Sequence, residues 1–379
     1  KEYRRQRQMC IRDRSYLIQV EALSNGTAKV DSTHWQSGDV SWIEGHFYSN
    51  KAPGMPLLVL PEYLLLDAVG FVDSSKEVFE GLRHERQGMW RLAPQGWQFA
   101  WSKPLGDAQT TIRAGKAPQV WALGLLGTVI PAVLLMLLAR AFAERLEPGT
   151  GTAAALSLGL GTMVLPFTSQ LFGHVLSSLL LFAAFYVGFL ERRRPPDMRL
   201  VAAVGVLLAL AATVEFPTAF GGAVVGSWVV LRRSDRSGDL EPGTLALRAV
   251  NMGAAGLAGL VPLLLFDTWA FGSPTIVSYH NAIAVLGRTG HDRVGLISSG
   301  FWGIGLPHRS AFAELLIGPR GLFVATPVLA VAFAGLAAMW RRGLRGEVAV
   351  IGAVFAVFLT YVAGCWWPAG GLVPGPRYL

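Results

Sequence analysis

The sequence predicts an all-α polytopic membrane protein, and three observations carry that expectation. Of 379 residues, 52% are hydrophobic and only 15% charged, with a mean hydropathy of +0.42. The apolar residues fall in long blocks rather than short amphipathic patterns. Arginine-rich loops recur after every second block, which is the charge alternation of a multi-pass chain.

A spanning helix needs about 20 mostly apolar residues, and somewhat fewer where protein shields the span. Candidates run over Pro118–Ala139, Thr152–Pro166, His174–Leu190, Leu200–Phe216, Thr218–Leu231, Ala249–Phe266, Gly321–Met339 and Val348–Gly364, about eight in all. The basic loops are Arg140 with Arg145, Arg192 to Arg194 with Arg199, Arg232 to Arg236 with Arg248, and Arg341 to Arg345. All four fall on one side, which is thereby expected to be cytoplasmic. The other side receives everything before Pro118, the connection Phe167–Gly173, the break Glu215–Pro217, the loop Asp267–Arg320 and the end from Cys365.

Met55–Val72 is apolar enough for a span but carries Glu62 and Asp67. Counting it would invert every later basic loop, so it is read as an interfacial helix on the outer face. Asp73 to Lys116 stays outside too, with Trp90, Trp97 and Trp101 at headgroup depth. Residues 1–14, KEYRRQRQMCIRDR, resemble translated adapter read-through and are set apart as non-native. The expected organisation is an extracytoplasmic loop over 15–117 and a helical bundle over 118–379, incomplete at both ends. Cys10 and Cys365 are too few and too distant for a disulfide framework. The net charge of +8 sits in the loops and has no aromatic-basic surface around it, which argues against nucleic acid.

The densest polar stretch is Gly38–Gly54, GDVSWIEGHFYSNKAPG, just before the interfacial helix. It offers Asp39, His46, Tyr48 and Lys51 ahead of a Pro-Gly turn. A lysine at the lipid boundary neutralises a lipid phosphate as a compact cation. A nearby carboxylate accepts a proton from an acceptor hydroxyl. The alternative is an ordinary surface loop with a snorkelling lysine, and composition leaves both open.

Three residues outside this stretch stand out. His174 opens a span at the outer boundary, where it either binds a phosphate or sugar hydroxyl or faces headgroups. Glu215 lies in apolar sequence before Pro217, where a carboxylate is costly unless paired or hydrated. Arg377 offers a bidentate fork for phosphate, or an interfacial anchor. In the long outer loop, His280, His291, Asp292 and His308 fit no standard zinc spacing. There is no G-x-S-x-G elbow, P-loop or dinucleotide fingerprint.

Gly45–Gly54, GHFYSNKAPG, resembles the G-H-(Y/F)-Y-S-D-K-x-P-(G/P) signature of bacterial protein mannosyltransferase and aminoarabinose transferase relatives, within the GT-C glycosyltransferase superfamily. The likeness continues through LFGHVL at 171–176, AFGSP at 270–274, ELLIGPRGLF at 314–323 and WWPAGGLVPGPRYL at 366–379. It implies a GT-C-like bundle in a bacterial inner membrane that moves a sugar, with inversion, from a polyprenyl-phosphate donor to an acceptor hydroxyl. The acceptor is a glycan, lipid or protein, and the site is extracytoplasmic.

The resemblance also implies roles. Lys51 matches the phosphate lysine, with Arg377 and Tyr48 beside it. Asp39 matches an acid that precedes G-H-x-Y-S and is the preferred catalytic carboxylate, with Asp31 and Asp13 behind it. His46, His174 and Glu215 are assigned to substrate. The run Asp13-Arg14-Ser15-Tyr16-Leu17 matches the spacing of a second acidic motif, but Tyr16 replaces its arginine, and Asn50 replaces the usual aspartate. No cofactor is assigned, and a divalent cation is left open. The rival reading is a transporter or flippase of lipid-linked sugars, which calls for broken helices and ionisable residues near the bilayer midplane, whereas Glu215, His174 and Arg377 are all expected toward one face.

Overall fold

The computed structural model describes residues 15–34, 40–71, 88–93, 96–101, 117–232, 241–283, 305–307, 309–319 and 321–364. It is mostly helical. Helix α1 occupies residues 15–24, and every residue from Ser15 to Val20 is buried. A ten-residue helix with no exposed face across its first turns depends on its neighbours for stability.

A small antiparallel sheet follows, built on the hairpin β1 (Val40–Ile43) and β2 (His46–Ser49). Its two-residue turn places Glu44 at φ 48° and Gly45 at φ 86°. Positive φ at both centres is the turn that matches strand twist. Strand β5 (Ala282–Ile283) pairs with the other edge of β1 and ties that distant segment to the hairpin. Gly38–Gly54, expected as a loop, is thus largely a hairpin. A second hairpin, β3 (Gly88–Ala93) and β4 (Gly96–Trp101), pairs Trp90 with Phe99 and Leu92 with Trp97.

The segment expected as an interfacial helix forms α2 (Gly54–Ala68), 15 residues and shorter than a span. It buries Met55, Val59 and Tyr63 and leaves Leu64, Leu65 and Val69 exposed. Burial of Glu62 raises its carboxyl above the ordinary value.

The bundle begins with α3 (Ala117–Gly124), a π-helical turn (Leu125–Val129) and α4 (Ile130–Leu146). In the widened turn the Thr128 hydroxyl lies 2.7 Å from Gly124 O and 2.9 Å from Thr168 O, which ties the turn to the segment ending at Thr168. Then come α5 (Gly151–Gly161), α6 (Val164–Thr168), α7 (His174–Glu191), α8 (Met198–Val214), α9 (Thr218–Val230) and α10 (Pro242–Phe271). Past β5 lie α11 (Arg309–Ile317), α12 (Leu322–Ala325), α13 (Leu329–Arg341) and α14 (Arg345–Ala363).

Among the described residues four helical stretches are long and apolar enough to cross a membrane: Gln119–Leu146, α7, α10 and α14. The pair Arg309–Ala325 and α13, bent by 89°, makes a fifth if taken as one span. The eight expected spans are not all continuous. Thr152–Pro166 breaks between α5 and α6, and Gly321–Met339 breaks at Thr326–Val328, where Pro327 cannot continue a hydrogen-bonded helix. Helices α5, α8 and α9 have 11, 17 and 13 residues.

The outward surface suits lipid. On α10, Leu257, Val261 and Leu265 recur at helical spacing with exposures of 63%, 44% and 65%. Soluble monomers rarely leave such a stripe bare. Inside, one core joins Tyr16, Met55, Leu171, Phe172 and Val214. A second joins Phe185, Val201, Val204, Val229 and Val350.

All the described basic loops meet at one end of the bundle. Arg342 pairs with Glu147, Arg193 with Glu347, and Arg232 with Glu191. The opposite end gathers α1, the β1–β2–β5 sheet and α2. We call these the arginine end and the loop end.

Candidate functional site

Four segments converge at the loop end. Helix α8 stops at Glu215, whose backbone turns extended before Pro217 caps α9. The Thr218 hydroxyl donates to Glu215 O at 2.7 Å and fixes this corner. Helix α7 starts beside it at His174, and α1 contributes Tyr16.

Glu215 is the meeting point. Its Oε1 accepts the Tyr16 hydroxyl at 2.7 Å and lies 3.3 Å from His174 Nδ1. The two side chains retain 13% and 15% exposure. Rings from Phe167 and Phe172 stand 5.5 and 5.6 Å from the His174 ring, so the pair sits in a partly apolar surround. In such a medium each polar contact is stronger than in water.

Close backbone packing builds the corner. A methyl on Gly173 would stand 2.8 Å from Glu215 Oε1. A methyl on Gly54 would stand 2.7 Å from Thr213 O. The Lys51 loop is therefore seated on the end of α8, next to Glu215. Its other anchor is Ser49, whose hydroxyl donates to Ser15 O at 3.3 Å and accepts the Lys51 amide at 3.2 Å. Asn50 between them is buried, with its Oδ1 lacking a hydrogen-bond partner.

Below Glu215 and His174 opens a cavity of about 440 Å³. Toward the loop end it is lined by Glu215, His174, Ser178 and Thr218. Its walls are Phe182 and Phe185 from α7, Val225 from α9, and Val354 and Phe358 from α14. From His174 to Phe185 is eleven residues of helix, about 16 Å of depth at 1.5 Å per residue. The cavity is therefore amphiphilic along α7, polar at the loop end and aromatic within.

A second cluster lies in the first loop region. Asp31 Oδ1 accepts the Phe47 amide at 2.7 Å, and Oδ2 lies 2.8 Å from His46 Nδ1. His46 Nε2 is 3.1 Å from Lys29 Nζ. An ammonium has only donors, so Nε2 accepts and Nδ1 carries the proton toward Asp31. The His34 ring stacks on Phe47 at 3.9 Å. Burial acts to raise the Asp31 carboxyl, but the Phe47 amide, His46 and Lys29 together hold it below its ordinary 3.8.

The structure thus gathers His174 and Glu215 around one cavity, with the Lys51 loop against the same helix end. It places Asp31 with His46 in a separate, more exposed group. Tyr48 belongs to neither: its ring packs in a buried core, 5.0 Å from Phe271. Burial, then the charges of Asp31 and Glu44, push its phenol up. Asp13, Asp39 and Arg377 lie outside the described residues, as do His291, Asp292 and His308. Among the described residues no three His, Cys, Asp or Glu side chains gather into a metal site. Tyr16 was not assigned a role by sequence, although its place in the D-R-S-Y-L run marked it as a departure from pattern. No protein-family model, curated protein or solved structure matches this chain.

Proposed function

We propose that this protein is a membrane glycosyltransferase of GT-C type that moves a sugar from a polyprenyl-phosphate donor to an acceptor hydroxyl on the extracytoplasmic face. The single observation that carries the reading is the amphiphilic cavity lined by Glu215 and His174 at its polar end. An isoprenoid tail matches the aromatic walls, and a phosphosugar matches the polar rim. The Lys51 loop, seated on the same helix end, brings a cation to the level where the phosphate would lie. Broken spans are expected of a transporter as well; what favours transfer is that Glu215 and His174 lie together toward one end of the bundle.

The reaction is a displacement at the anomeric carbon. The acceptor oxygen forms a bond to that carbon as the bond to the phosphate oxygen breaks. The acceptor proton passes to a carboxylate, and the polyprenyl phosphate leaves with the electron pair. Asp39 is the preferred base. Asp31 is the weaker choice, because both its oxygens are engaged and its carboxyl is held low. Glu215 and His174 orient sugar hydroxyls, Tyr16 fixes Glu215, and Lys51 stabilises the leaving phosphate.

The test is transfer in lipid nanodiscs with a panel of polyprenyl-phosphate sugars. Asp39→Asn and Lys51→Ala should each lower transfer by about 10²-fold or more. Full transfer by both variants would show the assignment to be wrong.

A further inference from the structure

At the arginine end a second cavity of about 440 Å³ opens between the end of α4, the α7–α8 connection and the α13–α14 turn. Its charged lining is four arginines: Arg145, Arg193, Arg194 and Arg342. Its remaining lining is apolar, including Phe189, Leu190 and Leu344.

The carboxylates nearby do not balance these cations. Glu347 pairs with Arg193 at 3.0 Å, and Glu147 pairs with Arg342. Glu191, the remaining buried acid of this end, is engaged by Arg248 and Arg232. Arg145 is held over the Tyr186 ring at 5.5 Å and reaches only the Ala141 carbonyl, at 3.5 Å. The Arg193 guanidinium carbon lies over the Phe189 ring, 3.5 Å from its centroid, at the cavity wall. Four guanidinium groups against two carboxylates leave a surplus of positive charge. That surplus lies in a concavity whose other wall is hydrocarbon, at the ends of membrane-crossing helices.

We propose that this cavity binds the phosphate of an anionic lipid, with the arginines on the headgroup and Phe189, Leu190 and Leu344 against the first acyl carbons. Basic pockets between helix ends on the positively charged side of a membrane take such headgroups. Arginine forks suit phosphate oxygens geometrically. The shared chemistry is a phosphate mono- or diester, and a soluble phosphate compound has the same charged end without the chains. The site lies at the opposite end of the bundle from the Glu215 cavity and does not depend on the reading of that one.

Native mass spectrometry of the full chain, released from detergent with phosphatidylglycerol or phosphatidylcholine, tests the proposal. The wild type should retain phosphatidylglycerol at least tenfold better than phosphatidylcholine. The double variant Arg145→Ala/Arg194→Ala removes two arginines that no carboxylate holds, and should lose that preference. Leu344→Trp fills the cavity without changing charge and should lose it as well, which a diffuse surface field would not produce. Arg341→Ala, outside the lining, should keep it. Displacement of the lipid by millimolar glycerol phosphate would assign the site to phosphate from a soluble source as well, and lack of displacement would assign it to the lipid. Equal retention of both lipids by the wild type, or unchanged preference in both cavity variants, would overturn the proposal.

Discussion

The two ends of the bundle each hold a glutamate in apolar surroundings, and the two are treated in opposite ways. At the arginine end Glu191 is fully buried, with Arg248 on both oxygens at 2.8 and 2.9 Å and Arg232 at 2.9 Å on one of them. Arg248 also reaches Val229 O, and Arg232 reaches Arg194 O. The group ties α7 to α10 and to the α9–α10 connection. At the loop end Glu215 keeps partial exposure, meets a hydroxyl and an imidazole, and borders a cavity. Two arginines saturate a carboxylate and make it a fastener. A tyrosine and a histidine position the other at the lining of a cavity. The lesson is that charge in a membrane protein is read by what surrounds it, since the cost of burial is met in both cases and only one leaves room for a ligand.

Exchanging the two acids for amides separates these roles. Glu191→Gln leaves two arginines without their anion and should destabilise the bundle by about 3–5 kcal/mol, seen as a lower unfolding temperature in detergent. Glu215→Gln should leave that temperature nearly unchanged while transfer falls by about tenfold or more, in keeping with loss of one charged hydrogen-bonding partner of about 1.5–3 kcal/mol. If Glu215→Gln unfolds the protein as readily as Glu191→Gln does, the distinction between fastener and site fails.

Gly173→Ala probes how tightly the site corner is built. The added methyl meets the Glu215 carboxylate and the Val214 side chain and carbonyl, so overpacking of about 1–3 kcal/mol is expected. Because the displaced atom is the Glu215 oxygen itself, transfer should fall further than thermal stability does.

The smallest effect concerns acid. Asp31 is held below 3.8 in the folded chain, so its contribution to stability is present above that value. It is lost as pH falls below 3.8 and through the folded value. Asp31→Asn should therefore flatten the acid limb of a stability profile slightly, while neutral-pH transfer stays near wild type. A large change in transfer at neutral pH would move Asp31 into the catalytic group.

Much of this was legible in the chain. Arg193, Arg232, Arg248 and Arg342 do gather at one end, because basic loops on one side are a one-dimensional signal set by insertion. The span breaks were less legible. Pro166 and Pro327 stand in apolar runs, and hydropathy averages over them. The hairpin left a readable trace in the alternation of VSWI and HFYS around Glu44-Gly45, but β1–β5 pairing joins residues more than 230 positions apart, which no local pattern encodes. The same holds for the site. His174 and Glu215 stood out singly by type and position, whereas Tyr16 matters through a contact 199 residues away.

The Glu191 fastener also carries an order of events. Arg232 follows it by 41 residues and Arg248 by 57. At ordinary synthesis rates the carboxylate waits about 3 to 11 s for its second arginine. Until α10 emerges, Glu191 has only Arg232 to pair with, so the carboxylate is half-fastened. The last-made partner then completes the cluster, and a ribosome stalled short of Arg248 would hold α7 tied to Arg232 but not yet to α10.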